Sequence, residues 1–240
     1  MVAEVTRRQK WLYPSYQGCL SRRRVALGAF AIGGVTLAGC LSSNYNFFNY
    51  VSSSGADMYF KVPATWSDFG PGQVFSTPQQ SISPGQLAQI ESGDWANVFS
   101  AQRTTSIQAL TGIFASQPFG ITQARKLSTS QRDTFSLASL RTLLIPSDPL
   151  ASSTSSASGA VYTAENYSEF VGPGGMRGSR MVVDIKQTGK LTSVLSQVAE
   201  VDSSTNWVYL IGVGCTKACY QANKAVINEI VNSWSVRSPK

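Results

Sequence analysis

Residues 180–234, RMVVDIKQTGKLTSVLSQVAEVDSSTNWVYLIGVGCTKACYQANKAVINEIVNSW, decide the fold. From Arg180 to Lys186 apolar and polar residues alternate, with Met181, Val183 and Ile185 on one side and Asp184 and Lys186 on the other. That period of two is the signature of a half-buried strand. After Gln187 to Lys190, Leu191 to Val201 reads as a second strand, and Trp207 to Val213 as a third across the polar turn Asp202-Ser203-Ser204-Thr205. The third is apolar on both sides, which places it centrally in a sheet. From Tyr220 to Trp234 the period changes: Val226, Ile227, Ile230, Val231 and Trp234 recur at helical spacing while Lys224, Asn228 and Asn232 turn away. A helix with one apolar stripe beside a sheet buries that stripe on it, a two-layer arrangement.

Working toward the N-terminus, Met58 to Pro63 reads as a strand ended by the proline, and Asp94 to Gln102 and Ile121 to Leu127 as two more. Ser130 to Leu144 carries Phe135, Leu137, Leu140, Leu143 and Leu144 and predicts a helix; Thr104 to Phe114 suggests another. Pro146 to Gly159 is Ser-rich and predicts a loop. The Gly-rich run Gly172 to Gly178 reads as a hairpin loop, because it lacks the helix and the Lys-Ser/Thr ending of a phosphate-binding loop. Strands, helix, strands and helix in that order give an α+β fold with a largely antiparallel sheet.

The beginning of the chain has another grammar. Arg22-Arg23-Arg24, the apolar run Val25 to Leu37 and the small residues before Cys40 form the charged, apolar and cleavage regions of an export signal. The run is shorter than the roughly 20 apolar residues a membrane-crossing helix needs. Leu37-Ala38-Gly39-Cys40 resembles the bacterial lipobox. What that resemblance implies is cleavage between Gly39 and Cys40, a diacylglyceryl thioether on the Cys40 thiol, and an acyl chain such as palmitate on the new α-amino group. Two chains anchor stably where one binds reversibly. Ser21 to Val25 also resembles the twin-arginine export motif, although Val25-Ala26-Leu27 follows the arginines in place of Phe-Leu-Lys, and both that route and the general secretory one remain open. The expected organisation is a cleaved signal over 1–39, a lipidated tether over 40–56, and a single domain over 57–240. Tyr45, Phe47, Phe48 and Tyr50 interrupt the polar tether, as residues expected to pack on the domain or the lipid surface.

Processing changes the charge. The chain has 20 Lys and Arg against 13 Asp and Glu; residues 1–39 hold six of the bases and one of the acids, leaving 14 against 12, or +2. The basic balance belongs mostly to the signal, so nothing points to a nucleic-acid partner. Two further cysteines, Cys215 and Cys219, stand four residues apart. An even pair outside the cytoplasm favours a disulfide, and helical spacing puts their Cα atoms about 6 Å apart, within bridging range. Metal ligation and redox chemistry compete with that reading, but a zinc site takes about four ligands and the chain has no His. The bridge is expected to staple a strand end to a helix start.

The segment Tyr59-Phe60-Lys61-Val62-Pro63-Ala64-Thr65-Trp66, the Arg177-Gly178-Ser179-Arg180 turn and the closing Ile230-Val231-Asn232-Ser233-Trp234-Ser235-Val236 together resemble the PsbP-like superfamily. Its bacterial members include actinobacterial lipoproteins of the Lpq type, with Ran-binding Mog proteins as distant relatives. The resemblance covers roughly residues 57–236. It implies an α/β/α sandwich with the C-terminal helix packed on an antiparallel sheet, and a protein that binds or supports other proteins rather than one with a catalytic signature.

The residues themselves exclude much chemistry. Without His there is no Ser-His-Asp or Cys-His arrangement and no imidazole acid or base. No Gly-x-Ser-x-Gly elbow and no Walker loop occurs. Glu165 and Glu169 could serve as a glycosidase pair, but charges along a polar segment are ordinarily solvated surface. No catalytic, cofactor-binding or metal residue is therefore expected. The leading expectation is a non-enzymatic binding or accessory domain, held by Cys40 on the outer face of the cytoplasmic membrane and docking an envelope protein, with Trp66, Trp95 or Phe170 in an exposed patch. A small-ligand or lipid carrier requires a dry concave pocket. A His-independent envelope hydrolase requires acids converging in a cleft.

Overall fold

A computed structural model describes residues 44–51, 56–76, 82–110, 112–151 and 159–237. All of them fall within one compact unit, Ser42–Lys240. The predicted signal, Gly39, Cys40 and half of the Ser-rich loop lie outside the described residues. In chain order the strands are β1 (Tyr45–Val51), β2 (Asp57–Pro63), β3 (Ser67–Phe69), β4 (Asp94–Ser100), β5 (Phe119–Lys126), β6 (Ala160–Val171), β7 (Arg177–Gln187), β8 (Ser193–Val201), β9 (Trp207–Thr216) and β10 (Ser235–Arg237). The helices are α1 (Pro71–Val74), α2 (Pro84–Glu91), α3 (Thr129–Asp133), α4 (Leu137–Arg141), α5 (Lys217–Ala222) and α6 (Lys224–Ser233).

The fold is α+β. Seven strands pair antiparallel in the order β3-β4-β5-β9-β8-β7-β6, and a smaller sheet has the order β1-β2-β10. The expected central strand is β9: it pairs with β5 and β8, and all ten of its residues are buried. Its aromatic and β-branched residues suit a pleated surface covered on both sides. Tyr209, Ile211 and Val213 of β9 pack with Val194 and Val198 of β8, with Ile227, Ile230 and Val231 of α6, and with Met58, Phe60 and Val62 of β2. Val208 and Leu210 of β9 point the other way, to Ala199, Val201 and Leu140 of α4. The large sheet thus has α6 and the small sheet on one face and α4 on the other. Gln197 of β8, fully buried, donates from Nε2 to the Leu140 carbonyl at 2.7 Å and so satisfies an orphan group near the end of α4.

The C-terminal helix is two helices. Asn223 leaves helical geometry (φ −112°, ψ 12°) and its Nδ2 donates to the Cys219 carbonyl at 2.9 Å, a side-chain bond that competes with the helical ladder. The expected helix over Ser130 to Leu144 is likewise α3 and α4. Ser128 and Ser136 are both N-caps, each with its backbone N–H bonded to the side chain three residues on, Gln131 and Ser139, so the second serine restarts the helix. Thr104 to Phe114 holds only short 3-10 turns, over Ile107–Ala109 and Gly112–Phe114.

Three further departures are structural. Tyr45–Val51, expected in the tether, is an edge strand paired residue for residue with β2 from Tyr45↔Pro63 to Val51↔Asp57. The polar strand β6 forms the far edge of the large sheet, joined to β7 by the expected hairpin loop over Gly172–Met176 and closed by Gly172 N–H donating to the Met176 carbonyl at 2.8 Å. Asp184, expected on an exposed side of its strand, is buried because Lys217 of α5 covers it at 2.5 Å.

Candidate functional site

The disulfide forms where the strand becomes a helix. Cys215 at the end of β9 and Cys219 in α5 are bonded, with Cα atoms 5.9 Å apart. Around it lies a charge-compensated cluster: Lys217 Nζ contacts Asp184 Oδ2 at 2.5 Å and Glu165 Oε1 at 3.1 Å, and the two acids hold the ammonium above its ordinary pKa. A lysine kept protonated in this way is neither nucleophile nor base. The cluster ties α5 to β7 and β6 and offers no reacting group.

Glu165 and Glu169, the carboxylate pair considered from sequence, are separated by a bulge in β6, where the register against β7 shifts between Ala164 and Asn166. An extra residue turns the alternation over. Glu165 therefore faces Lys217, whereas Glu169 accepts from the Tyr167 hydroxyl at 2.5 Å, on the side where Arg141 of α4 donates to the same hydroxyl at 2.9 Å. The two acids do not meet. Among the described residues no group of three or more His, Cys, Asp or Glu side chains is placed to hold a metal ion.

A buried carboxyl that sequence reasoning missed is Glu200, in β8 between Gly178 of β7 and Tyr209 of β9. It is 6% exposed, and its Oε2 has no hydrogen-bond partner. Burial pushes its pKa up from 4.5 to about 7. Oε2 lies 3.0 Å from where a Cβ on Gly172 would stand, so the glycine lets the hairpin loop close over it. Its signal in the sequence was the one charged residue in the strand Ser193–Val201.

The aromatic residues fall differently from expectation. Trp66, Trp95 and Phe170 pack half-buried on the main core; Trp66 lies 6.2 Å from the Phe99 ring, and Trp95 meets Phe60 edge-on at 6.5 Å. Among the described residues the large apolar aromatic that is exposed is Phe47, at 75%. It belongs to the outer face of the small sheet. There β2 alternates strictly, burying Met58, Phe60 and Val62 and leaving Asp57, Tyr59 and Lys61 half-buried outside. Phe48 stacks on Phe60 at 5.0 Å beneath, so Phe47 must point out.

On that outer face rings and cations interleave. Lys61 Nζ stands 4.6 Å over the Tyr45 ring, and the Arg237 guanidinium 4.8 Å over the Tyr59 ring. Phe47 pairs in register with Lys61. Glu229 of α6 accepts from Lys61 Nζ at 2.6 Å and from the Tyr45 hydroxyl. Burial, and then the bond to Glu229, raise the Tyr45 pKa to about 12, so the phenol stays neutral. A groove of about 310 Å³ is lined here by Phe47, Phe48, Tyr59, Phe60, Lys61 and Ser233. A second, of about 290 Å³, lies against α3 and α4, with Arg125, Gln131 and Phe135 among its walls. The second runs between the large sheet and helices, the place a carrier would hold its cargo, but Arg125, Gln131, Ser139 and Thr142 in its walls make it polar where a carrier needs a dry pocket.

No protein-family model and no curated protein sequence matches the chain. Among solved structures, it is similar to the cyanobacterial PsbP protein CyanoP from Synechocystis, at 10% identity, covering 87% of this chain and 98% of that one with a TM-score of 0.41. It is also similar to LpqN of Mycobacterium tuberculosis, described as involved in cell envelope biogenesis, at 10% identity over 82% and 92% of the two chains and a TM-score of 0.41. A third is the Ran-binding protein Mog1p of Saccharomyces cerevisiae, at 11% identity over 80% and 95% and a TM-score of 0.38.

Proposed function

We propose that this chain is a cell-envelope lipoprotein: exported, cut between Gly39 and Cys40, held by lipid on Cys40 at the outer face of the cytoplasmic membrane, and carrying a non-enzymatic binding or accessory domain. The observation that carries the reading is the sequence Leu37-Ala38-Gly39-Cys40 behind a basic segment and a short apolar run. The first described strand supports it by beginning at Tyr45, five positions beyond the proposed lipid-bearing cysteine. The Cys215–Cys219 disulfide supports it too, since such bonds persist in oxidising compartments outside the cytoplasm. The accessory role rests on the chemistry of the domain. Its one lysine between two acids, Lys217, is held protonated by both, its buried acid Glu200 stands between Gly178 and Tyr209 in the sheet, and the chain contains no His.

Intact mass of the membrane-fraction protein, with and without Cys40→Ala, tests this reading. The expected wild-type species begins at Cys40 and carries a diacylglyceryl group and an acyl chain, while Cys40→Ala retains residues 1–39 without added acyl mass. An unmodified wild-type species that keeps those residues overturns the proposal.

A further inference from the structure

We propose that the outer face of the small sheet, centred on Phe47, rests on the lipid bilayer interface, so that the anchored domain is held in one orientation rather than swinging on its tether. This rests on the lipid anchor at Cys40 proposed above. Four residues separate Cys40 from Tyr45, and the five Cα steps between them span no more than about 18 Å at full extension. Whatever path they take, Tyr45 at the start of β1 stays within that distance of Cys40, and Phe47 lies two strand residues further on. The strand nearest the membrane is also the one that presents the exposed aromatic.

The chemistry of the face fits that occupant. Phe47 is 75% exposed in the middle of a strand, where an unpartnered large apolar side chain has no role in the fold, since Phe48 on the opposite side already stacks on the core. Tyr45 and Tyr59 flank it with amphipathic rings, the residue type that settles at headgroup depth. Lys61 and Arg237 cover those rings, so each cation lies over an apolar surface and faces the phosphate level when the ring is immersed. Glu229 compensates Lys61, which makes aromatic insertion the main source of binding and net charge a minor one. Such weak contact suits a domain whose lipid already supplies affinity: tethering turns docking into an intramolecular event.

The test uses the full chain expressed in a lipid-modifying bacterial host, with Phe47→Cys or, as a control on the opposite layer of the large sheet, Leu150→Cys. Leu150 is 46% exposed beside Asp148, which is bonded to Arg141 of α4. A nitroxide is placed on the new thiol, and the protein is reconstituted in vesicles of phosphatidylethanolamine and phosphatidylglycerol. The expected result is that the label at 47 loses collisions with a water-soluble nickel chelate several-fold and gains collisions with oxygen on passing from detergent to vesicles, whereas the label at 150 changes in neither. Equal exposure to water at both positions overturns the inference while leaving the anchor intact. Shielding of position 47 from both colliders overturns it as well, because that signals burial against protein, a partner or a second copy. Intact mass of the same samples separates the two claims: a Cys40 without lipid removes the anchor, and the inference with it.

Discussion

At the scale of single residues, Glu200 sets a pH dependence whose sign can be worked out. Its carboxyl is buried under the Gly172–Met176 loop with one oxygen unpartnered, and its pKa rises from 4.5 to about 7. A group with a raised folded pKa stabilises the fold fully below its unfolded value and loses that contribution as pH climbs through the folded one. Stability should therefore decline between pH 4.5 and 7 as Glu200 ionises in a site without a counter-charge. Glu200→Gln removes the titration. Relative to wild type, the variant should gain on the order of 2 kcal/mol between acid and mildly alkaline pH, read as the difference in urea-unfolding free energy at the two ends. Identical pH profiles for the two proteins would exclude this role. Gly214 makes a second point at this scale: a Cβ there would stand 2.5 Å from the Val194 carbonyl oxygen, which is backbone in the adjacent strand and cannot swing away. Gly214→Ala should cost about 2 kcal/mol or more in the same assay. At Gly120 a Cβ would stand 2.2 Å from the fully buried Phe99 ring, so that ring would have to shift in the core.

At the scale of elements, the bridge between Cys215 and Cys219 fixes where β9 stops and α5 starts. Closing so small a loop restricts the unfolded chain by about 2 kcal/mol on the chain-entropy account. The double variant Cys215→Ser/Cys219→Ser should lose about that much, with the loss seen first as faster hydrogen exchange in α5 and unchanged exchange in β5. The elements best read from sequence were those with an unambiguous period. Residues 180–213 gave β7, β8 and the central β9, because strict alternation or two-sided apolarity leaves few other structures open. Helix breaks were not legible in the same way. Asn223 and Ser136 interrupt apolar patterns that run on through them, and what ends each helix is a hydrogen bond of one polar side chain or a new N-cap. The strands β1 and β6 were hidden for a different reason. Edge strands need bury only one side, so Asn, Ser and Glu occupy them freely, and their composition resembles that of loops. The short helix α2 did carry a readable signal, Ser83-Pro84 with Gln86 closing a capping box. Of the candidate sites, Cys215 and Cys219 were visible through spacing, whereas the outer face around Phe47 emerged only once the β1–β2 register showed which aromatic points inward.

At the scale of the whole molecule, the large sheet divides the domain into two unequal cores. The face toward α6 and the small sheet carries the larger cluster, from Met58 and Phe60 through Tyr209 and Ile211 to Ile230 and Trp234. The face toward α4 has two smaller clusters, around Leu140 and around Val183. Strands that contribute to both cores, β8 and β9, cannot open without exposing both, and all nine residues of β8 and ten of β9 are buried. Among the edge strands, β1 adds Phe48 to the main core, and β6 buries Ala160 and Tyr162 in a smaller cluster and brings only the half-buried Phe170 to the main one. Native-state hydrogen exchange should follow this order: the amides of β9 and β8 exchange only through global unfolding, those of β6 and β1 through local opening at lower free energy. The small sheet tests the ordering most sharply. Its inner residues Phe60 and Met58 belong to the main core, whereas β1 has its strand pairing on one side, with β2, stacks Phe48 on Phe60 and bonds Glu229 of α6 through the Tyr45 hydroxyl. The free energy of opening for β1 should accordingly fall well below that of β2, although the two strands are paired along seven residues. Equal protection across β1 and β2 would show that the small sheet opens as one unit, and that its outer edge is as firmly folded as its centre.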